Sequence, residues 1–145
     1  MGQTITEIAD QDPEIEIAAG IDVRDSGTCG YPVFSGFSQC TVQGDVIVDF
    51  SSPAVFDSMM DYSVAHQVPV VVCTTGLSQE QVNRLDEDSR KVAVLRSANM
   101  SVGINLLMKL LKEAAKTLAP AGFDIEIVEK HHNLKKDAPS GTALA

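Results

Sequence analysis

Asp45-Val46-Ile47-Val48-Asp49-Phe50 is a short apolar run, and Ser51-Ser52-Pro53 follows it directly. A run of this length bounded by turn residues suits a strand buried on both faces, as a parallel sheet requires. Ser52 then has the chemistry of a helix N-cap, with Pro53 at the first helical position, where its missing N–H costs nothing. The spacing predicts a strand over 45–50 and a helix from there to about His66. Val68 to Cys73 repeats the apolar pattern, and Thr74-Thr75-Gly76 is the turn behind it. Ser78 and Gln81 stand at capping-box spacing for the next helix. Val92 to Leu95 gives a third short strand. Strands separated by helix-length segments are βαβ units, which predicts an α/β fold with a mostly parallel sheet.

Upstream, Glu14 to Ile21 alternates through Ile15, Ile17 and Ala19, a strand pattern. Residues 24–44 are rich in Gly, Ser and Thr without a clear period, so a long loop is expected there. Downstream, Asn99 or Ser101 can cap a long helix. Its apolar positions Ile104, Leu107, Met108, Leu111, Ala115 and Leu118 form one amphipathic stripe. Pro120-Ala121-Gly122 ends it, and Phe123 to Val128 alternates as another strand.

The 145 residues suit one domain by length, and 44% hydrophobic content is enough for a core. A net charge of −9 argues against a nucleic-acid backbone or an anionic membrane as the main partner. No apolar stretch approaches the roughly 20 residues of a membrane span, and the N-terminus lacks a signal pattern. Cys29, Cys40 and Cys73 have no metal-type spacing, and a reduced, cytoplasmic protein is the simplest expectation.

Ligands of open parallel sheets bind at the carboxyl ends of the strands. Asp22 ends the first strand, where a carboxylate can accept from the ribose hydroxyls of a nicotinamide dinucleotide; a plain surface acid is the alternative. Phe50-Ser51-Ser52 and Cys73-Thr74-Thr75-Gly76 end two more strands, with small hydroxyl residues that let a cofactor approach or simply make βα turns. A G-x-G-x-x-G loop is absent. The densest positive island in this acidic chain is Glu129-Lys130-His131-His132-Asn133-Leu134-Lys135-Lys136-Asp137, and Ala138-Pro139-Ser140-Gly141-Thr142-Ala143 continues it. A turn that opens a helix offers free N–H groups to an anion, and histidine and lysine can move protons or hold charge. His131 and His132 lack a third ligand at metal spacing, so no metal is expected. Ser140 is not in a nucleophile elbow. A basic loop ending in a helix cap is the plain structural alternative for the run.

Glu129-x-His131-His132-x-x-Lys135-x-Asp137-Ala138-Pro139-Ser140-Gly141-Thr142-Ala143 resembles the signature of the 4-hydroxy-tetrahydrodipicolinate reductase family, also called dihydrodipicolinate reductase. Asp45 to Ser51, Val71 to Gly76 and Ser97 to Asn105 resemble that family's cofactor-side segments, in order. The resemblance implies a Rossmann-like, mostly parallel sheet with flanking helices in a dinucleotide-binding domain over 1–100. It also implies that 101–145 begin a second, α+β substrate and tetramerisation domain. It implies NADH- or NADPH-dependent reduction of a small cyclic dicarboxylate in lysine and diaminopimelate biosynthesis, by a cytoplasmic homotetramer. His131 resembles the proton donor, and Lys135 the lysine that assists it. His132, Ser140, Gly141 and Thr142 resemble the substrate-carboxylate site. Asp22, Phe50, Ser51, Cys73, Thr75, Ala98 and Met100 fall at cofactor-binding positions.

Family members begin with a strand and a Gly-x-x-Gly-x-Met-Gly loop, of which only Met1-Gly2 has a counterpart here, and they continue past the Ser-Gly-Thr helix. The resemblance therefore implies an internal segment, inactive by itself. Two alternatives stay open: a non-catalytic anion-binding or oligomerisation module, and another nicotinamide-dependent oxidoreductase of a small dicarboxylate.

Overall fold

The computed structural model describes residues 1–24, 27, 29–134 and 138–144. They fall into two compact units, Met1–Arg96 and Ser97–Ala145.

The first unit is organised by β3 (Ile47–Asp49), β4 (Val70–Val72) and β5 (Val94–Arg96), paired in parallel in that order. Ile47 stands opposite Val70, and Val70 opposite Val94. The connections are α2 (Phe56–His66) and α3 (Gln79–Asp88). Both helices pack on one face of the sheet. Phe56, Met59 and Met60 of α2 and Leu85 of α3 close over Val70 and Val72, with Phe37, Ile47, Leu77 and Val94 at the margin. Period-2 alternation sends the neighbouring residues to the other face, where Val46, Val48 and Leu95 are about half exposed. The strand expected to be buried on both faces is thus covered on one, because both crossovers lie on the same side.

Local chemistry sets the helix ends. The capping box at α3 forms as its spacing predicts: Gln81 N–H donates to Ser78 Oγ at 3.2 Å, and Ser78 N–H donates to Gln81 Oε1 at 3.0 Å. Ser52, in contrast, does not cap α2. A turn closed by Val55 N–H on the Ser52 carbonyl intervenes, and helix α2 starts at Phe56 with no side-chain cap. The Pro53 carbonyl is taken by the Gln81 amide at 2.9 Å, so the turn is fastened to α3 while Phe56 swings into the core. At the other end, buried Ser63 donates to the Val68 carbonyl at 2.7 Å and closes α2 onto β4.

Before the sheet lie α1 (Gly2–Ala9) and a two-residue parallel pair, β1 (Gly20–Ile21) with β2 (Val33–Phe34). The strand expected from Glu14 to Ile21 contracts to its last two residues, because the N–H groups that reach β2 are those of Gly20 and Asp22, on the carbonyls of Pro32 and Phe34. The expected loop over 24–44 contains β2 and a 3-10 turn at Phe37–Gln39. Helix α1 was not legible from the sequence; Thr6 Oγ1 and Tyr31 OH, 2.7 Å apart, tie it to the loop.

In the second unit α4 (Val102–Leu118) carries the expected cap, with Ile104 N–H on Ser101 Oγ at 3.4 Å. Its apolar stripe is not buried: Leu107 and Leu111 are half exposed. Residues 123–128 form no strand, since a strand needs a partner to satisfy its backbone and none is paired with them among the described residues. Phe123, Ile125 and Ile127 stand exposed. A short α5 (Gly141–Leu144) ends the described chain.

Met60 is wholly buried against β4, so Met60→Ala should lower unfolding free energy by about 2–5 kcal/mol in a urea titration. Asp88 offers a pH test. Burial pushes its carboxyl up, but Lys91 at 2.9 Å and Arg84 at 3.3 Å outweigh burial and hold it below its ordinary 3.8. A depressed carboxyl stabilises the fold above its unfolded value and loses that contribution as pH falls through the folded value. Asp88→Asn should therefore cost about 1–3 kcal/mol at neutral pH, a deficit that shrinks steadily as the pH is taken below 3.8.

Candidate active site

The first unit gathers the expected cofactor residues at the carboxyl ends of β1, β3 and β4. Asp22 follows β1 on the surface, and its Oδ1 accepts the Arg24 N–H at 2.8 Å. Phe50 and Ser51 follow β3, and Ser51 is exposed. Their turn is fixed by Asp49, a 6% exposed carboxylate whose residue type alone does not mark it as a ligand-binding group. Its Oδ1 accepts both the N–H and the hydroxyl of Ser51. An Asp two residues before a Ser is an Asx-turn pattern, so a signal was present at Asp49-Phe50-Ser51.

Next to it, Cys73 N–H donates to the Asp49 carbonyl at 2.9 Å and extends the ladder beyond β4. Burial pushes the Cys73 thiol up, and the charge of Asp49 adds to the effect; a neutral thiol stands here, a packing group and not a nucleophile. Thr74 is buried, and its Oγ1 has no hydrogen-bond partner among the described residues. Thr75 is exposed beside it. Gly76 takes φ +76 and turns the chain toward Ser78, a conformation that a Cβ would strain.

The second unit holds the remaining candidates. Ala98 and Met100 are exposed and flank Asn99. Asn99 is a junction: its Oδ1 accepts the Ser101 N–H, its carbonyl accepts from Ser97 and Asn105, and its Nδ2 donates to Thr142 Oγ1 at 2.9 Å. Because Thr142 Oγ1 accepts from Asn99, its own hydroxyl proton remains available to an acceptor.

Ser140 is 4% exposed. Its Oγ accepts the Ala143 N–H at 3.1 Å, so this hydroxyl caps α5. Its backbone N–H donates to Glu129 Oε1 at 2.8 Å. The other Glu129 oxygen, buried, lies 3.5 Å from His131 Nδ1. Glu129 thus bonds the Ser140 N–H and lies within ion-pair distance of His131. His132 is exposed, and its Nδ1 accepts the Leu134 N–H at 3.2 Å. Lys135 lies outside the described residues. No cluster of His, Cys, Asp and Glu that could hold a metal ion occurs among the described residues. The arrangement can present a proton-carrying imidazole beside small hydroxyl and N–H donors, which is what protonating a bound carboxylate substrate requires.

Comparison with known proteins agrees with the order of these parts. The family model for the dihydrodipicolinate reductase N-terminus matches residues 1–100, and that for its C-terminus matches residues 103–145. A 4-hydroxy-tetrahydrodipicolinate reductase of Caldanaerobacter subterraneus subsp. tengcongensis is 46% identical over 144 residues, which cover 99% of this chain and 56% of the relative. That of Clostridium novyi is 47% identical, covering 99% and 57%. The dipicolinate-bound dihydrodipicolinate reductase from Paenisporosarcina sp. TG-14 superposes with a TM-score of 0.73 at 30% identity, covering 99% of this chain and 58% of that one. The chain thus spans about half the length of the curated relatives it matches. With both family models in register along it, the chain belongs to the dihydrodipicolinate reductase family.

Proposed function

We propose that this protein carries the reacting residues of an NADH- or NADPH-dependent reduction of 4-hydroxy-tetrahydrodipicolinate to tetrahydrodipicolinate. The observation that carries the proposal is His131 held beside the Ser140–Thr142 turn, in a chain of this family.

A nicotinamide dinucleotide fits the strand ends of the first unit. Thr74 Oγ1 is a buried hydroxyl in want of a partner, and Ser51 and Thr75 offer exposed hydroxyls next to it. Such a cofactor would supply hydride. Asp22 accepts from the adenosine ribose, and Phe50, Ser51, Cys73 and Thr75 shape the rest of the site in the first unit, while Ala98 and Met100 are the cofactor candidates of the second unit. The chain's own residues then do three things. Ser140, Gly141 and Thr142 hold a substrate carboxylate through the turn N–H groups and the side-chain hydroxyls, with His132 as a further donor, and Ser140 Oγ also caps the turn. His131 gives a proton to the substrate as negative charge develops on it. Lys135 assists and offsets that charge. The two carboxylates of the substrate are met by local cationic and N–H groups within an otherwise acidic chain.

The same reading assigns the protein to lysine and diaminopimelate biosynthesis, in the cytoplasm, as part of a homotetramer. The exposed apolar residues of α4 and 123–127 suit a face covered in an assembly, and no described helix is long and apolar enough to cross a membrane. Residues 1–100 serve the cofactor and 101–145 open the substrate and assembly domain.

In a version extended to the full length of its relatives, His131→Gln and Lys135→Ala should each lower kcat by about 10²–10⁴ with KM changed little, the pattern of a lost proton donor. Near-normal kcat in both variants would remove them from the chemistry. The cofactor can be tested separately. Asp22 is followed by Val23, so a 2′-phosphate meets a carboxylate without an arginine immediately after it. NADH should serve at least as well as NADPH; a preference for NADPH of about tenfold or more in kcat/KM, some 1.4 kcal/mol, contradicts that.

A further inference from the structure

Within the proposed reductase reading, on which this inference rests, we propose that Asn99 is a positioning residue for the substrate carboxylate and acts through Thr142. Its side-chain amide holds Thr142 Oγ1 as an acceptor and so obliges that hydroxyl to serve a ligand as a donor. Both residues belong to the second unit and lie 43 positions apart, so the bond ties the unit's first turn to its last helix.

The backbone forces this polarity. The two end atoms of an asparagine are alike in shape, and their partners tell them apart. Ser101 N–H can only donate, and it lies 2.9 Å from one of them, so that atom is the carbonyl oxygen Oδ1. The other is the NH₂ group, a donor without a usable lone pair, and it stands 2.9 Å from Thr142 Oγ1. Thr142 therefore accepts from Asn99, and its own proton is left for a third atom. A carboxylate oxygen can take that proton in a hydrogen bond; an ammonium group cannot.

The orientation is also held in place. The Asn99 carbonyl accepts from the Ser97 hydroxyl at 2.9 Å and from the Asn105 amide at 2.8 Å. Asn105 donates as well to the carbonyl of Ser101, the N-cap of α4. Turning the Asn99 amide over would set its NH₂ against the Ser101 N–H, donor against donor. Asn99 is half-buried, and leaving such a bond unmade there is costly. The residue is thus anchored at the start of a 17-residue helix on one side and reaches α5 on the other. Its neighbours Ala98 and Met100 are the cofactor candidates of this unit, so the turn that presents them also sets the polarity of a hydroxyl proposed for the substrate.

Aspartate at this position is the informative replacement, because it has the shape of asparagine. One oxygen still accepts the Ser101 N–H, but the other offers Thr142 lone pairs alone. The Thr142 hydroxyl then donates to the new carboxylate, and its proton is lost to a ligand. Alanine removes the hold and leaves that proton free. The added negative charge of aspartate also repels a dicarboxylate, so charge must be separated from polarity. Thr142→Val does this, since valine keeps the shape of threonine without its hydroxyl.

The test uses the 145-residue chain. Without ligand, hydrogen exchange of the Asn99 side-chain NH₂, followed by NMR, should be about fivefold or more faster in Thr142→Val than in the wild type, the scale of one lost hydrogen bond. Thr142→Ser keeps the acceptor and should restore the slow rate. The Ser101 amide should stay protected in Asn99→Asp and lose its protection in Asn99→Ala. Calorimetry with pyridine-2,6-dicarboxylate then reads the hydroxyl. Asn99→Asp should weaken binding by about tenfold or more, and Asn99→Ala by only about two- to fivefold. In a Thr142→Val background the penalty of Asn99→Asp should shrink by about fivefold or more, because an absent hydroxyl cannot be turned away. An asparagine that merely shapes the chain would carry the same penalty in both backgrounds. Equal penalties in the two backgrounds, or an Asn99 exchange rate that Thr142→Val leaves unchanged, overturns the proposal. If the exchange results hold but the wild-type chain does not bind the dicarboxylate, the hold of Asn99 on Thr142 stands and the reading of this turn as a carboxylate site fails instead.

Discussion

Strand β4 is hydrogen-bonded along both edges, and the rest of the first unit depends on it. Val70 N–H reaches Ala93 on one side, and Ile47 N–H reaches Pro69 on the other. Its inward side chains, Val70 and Val72, are the floor on which Phe56, Met59, Met60 and Leu85 settle. The ladder runs on past the strand through Cys73 N–H to the Asp49 carbonyl, so the turns after β3 and β4 begin from a fixed pair of strand ends. Apolar burial on one face thus determines where Phe50, Ser51, Thr74 and Thr75 stand. A loss of packing at Met60 would reach the candidate cofactor residues through the backbone before it touched any of them directly.

The sequence made these central parts legible because period and punctuation agree there. An apolar run and a turn recur, and the strands and α3 appear where expected, with Ser78 and Gln81 bonded as their spacing implies, while α2 begins about a turn later than Ser52-Pro53 suggests. Legibility failed where an element's state depends on a partner outside its own window. Phe123 to Val128 has the alternation of a strand, yet alternation does not supply a neighbour for its N–H and C=O groups. Glu14 to Ala19 fails likewise, and only Gly20 and Ile21 find β2. Alternation also cannot say on which side a crossover helix will lie, so Val46 and Val48, which a strand buried on both faces would enclose, stand outside.

The candidate site divides along a similar line. The residues foreseen by type were those with chemistry to offer a ligand: His131, Thr142, Ser51, Asp22. Those missed offer theirs to the protein. Asp49 commits Oδ1 to Ser51, Asn99 its amide to Thr142, and Glu129 an oxygen to Ser140. Such residues are not visible as sites from residue type, because their hydrogen bonds are internal. Ser140 is intermediate. Its sequence context suggested an anion ligand, and its Oγ also accepts the Ala143 N–H as the cap of α5.

A carboxylate within a site proposed for a dianion needs a physical reason, since like charges at close range oppose binding. Glu129 has one in how its charge is distributed. Oε1 is neutralised in part by the N–H dipole of Ser140, and Oε2 faces an imidazole that can become a cation. In the proposed site, the N–H groups of Gly141 and Thr142 and the Thr142 hydroxyl lie beyond Glu129 and supply the attraction for a carboxylate.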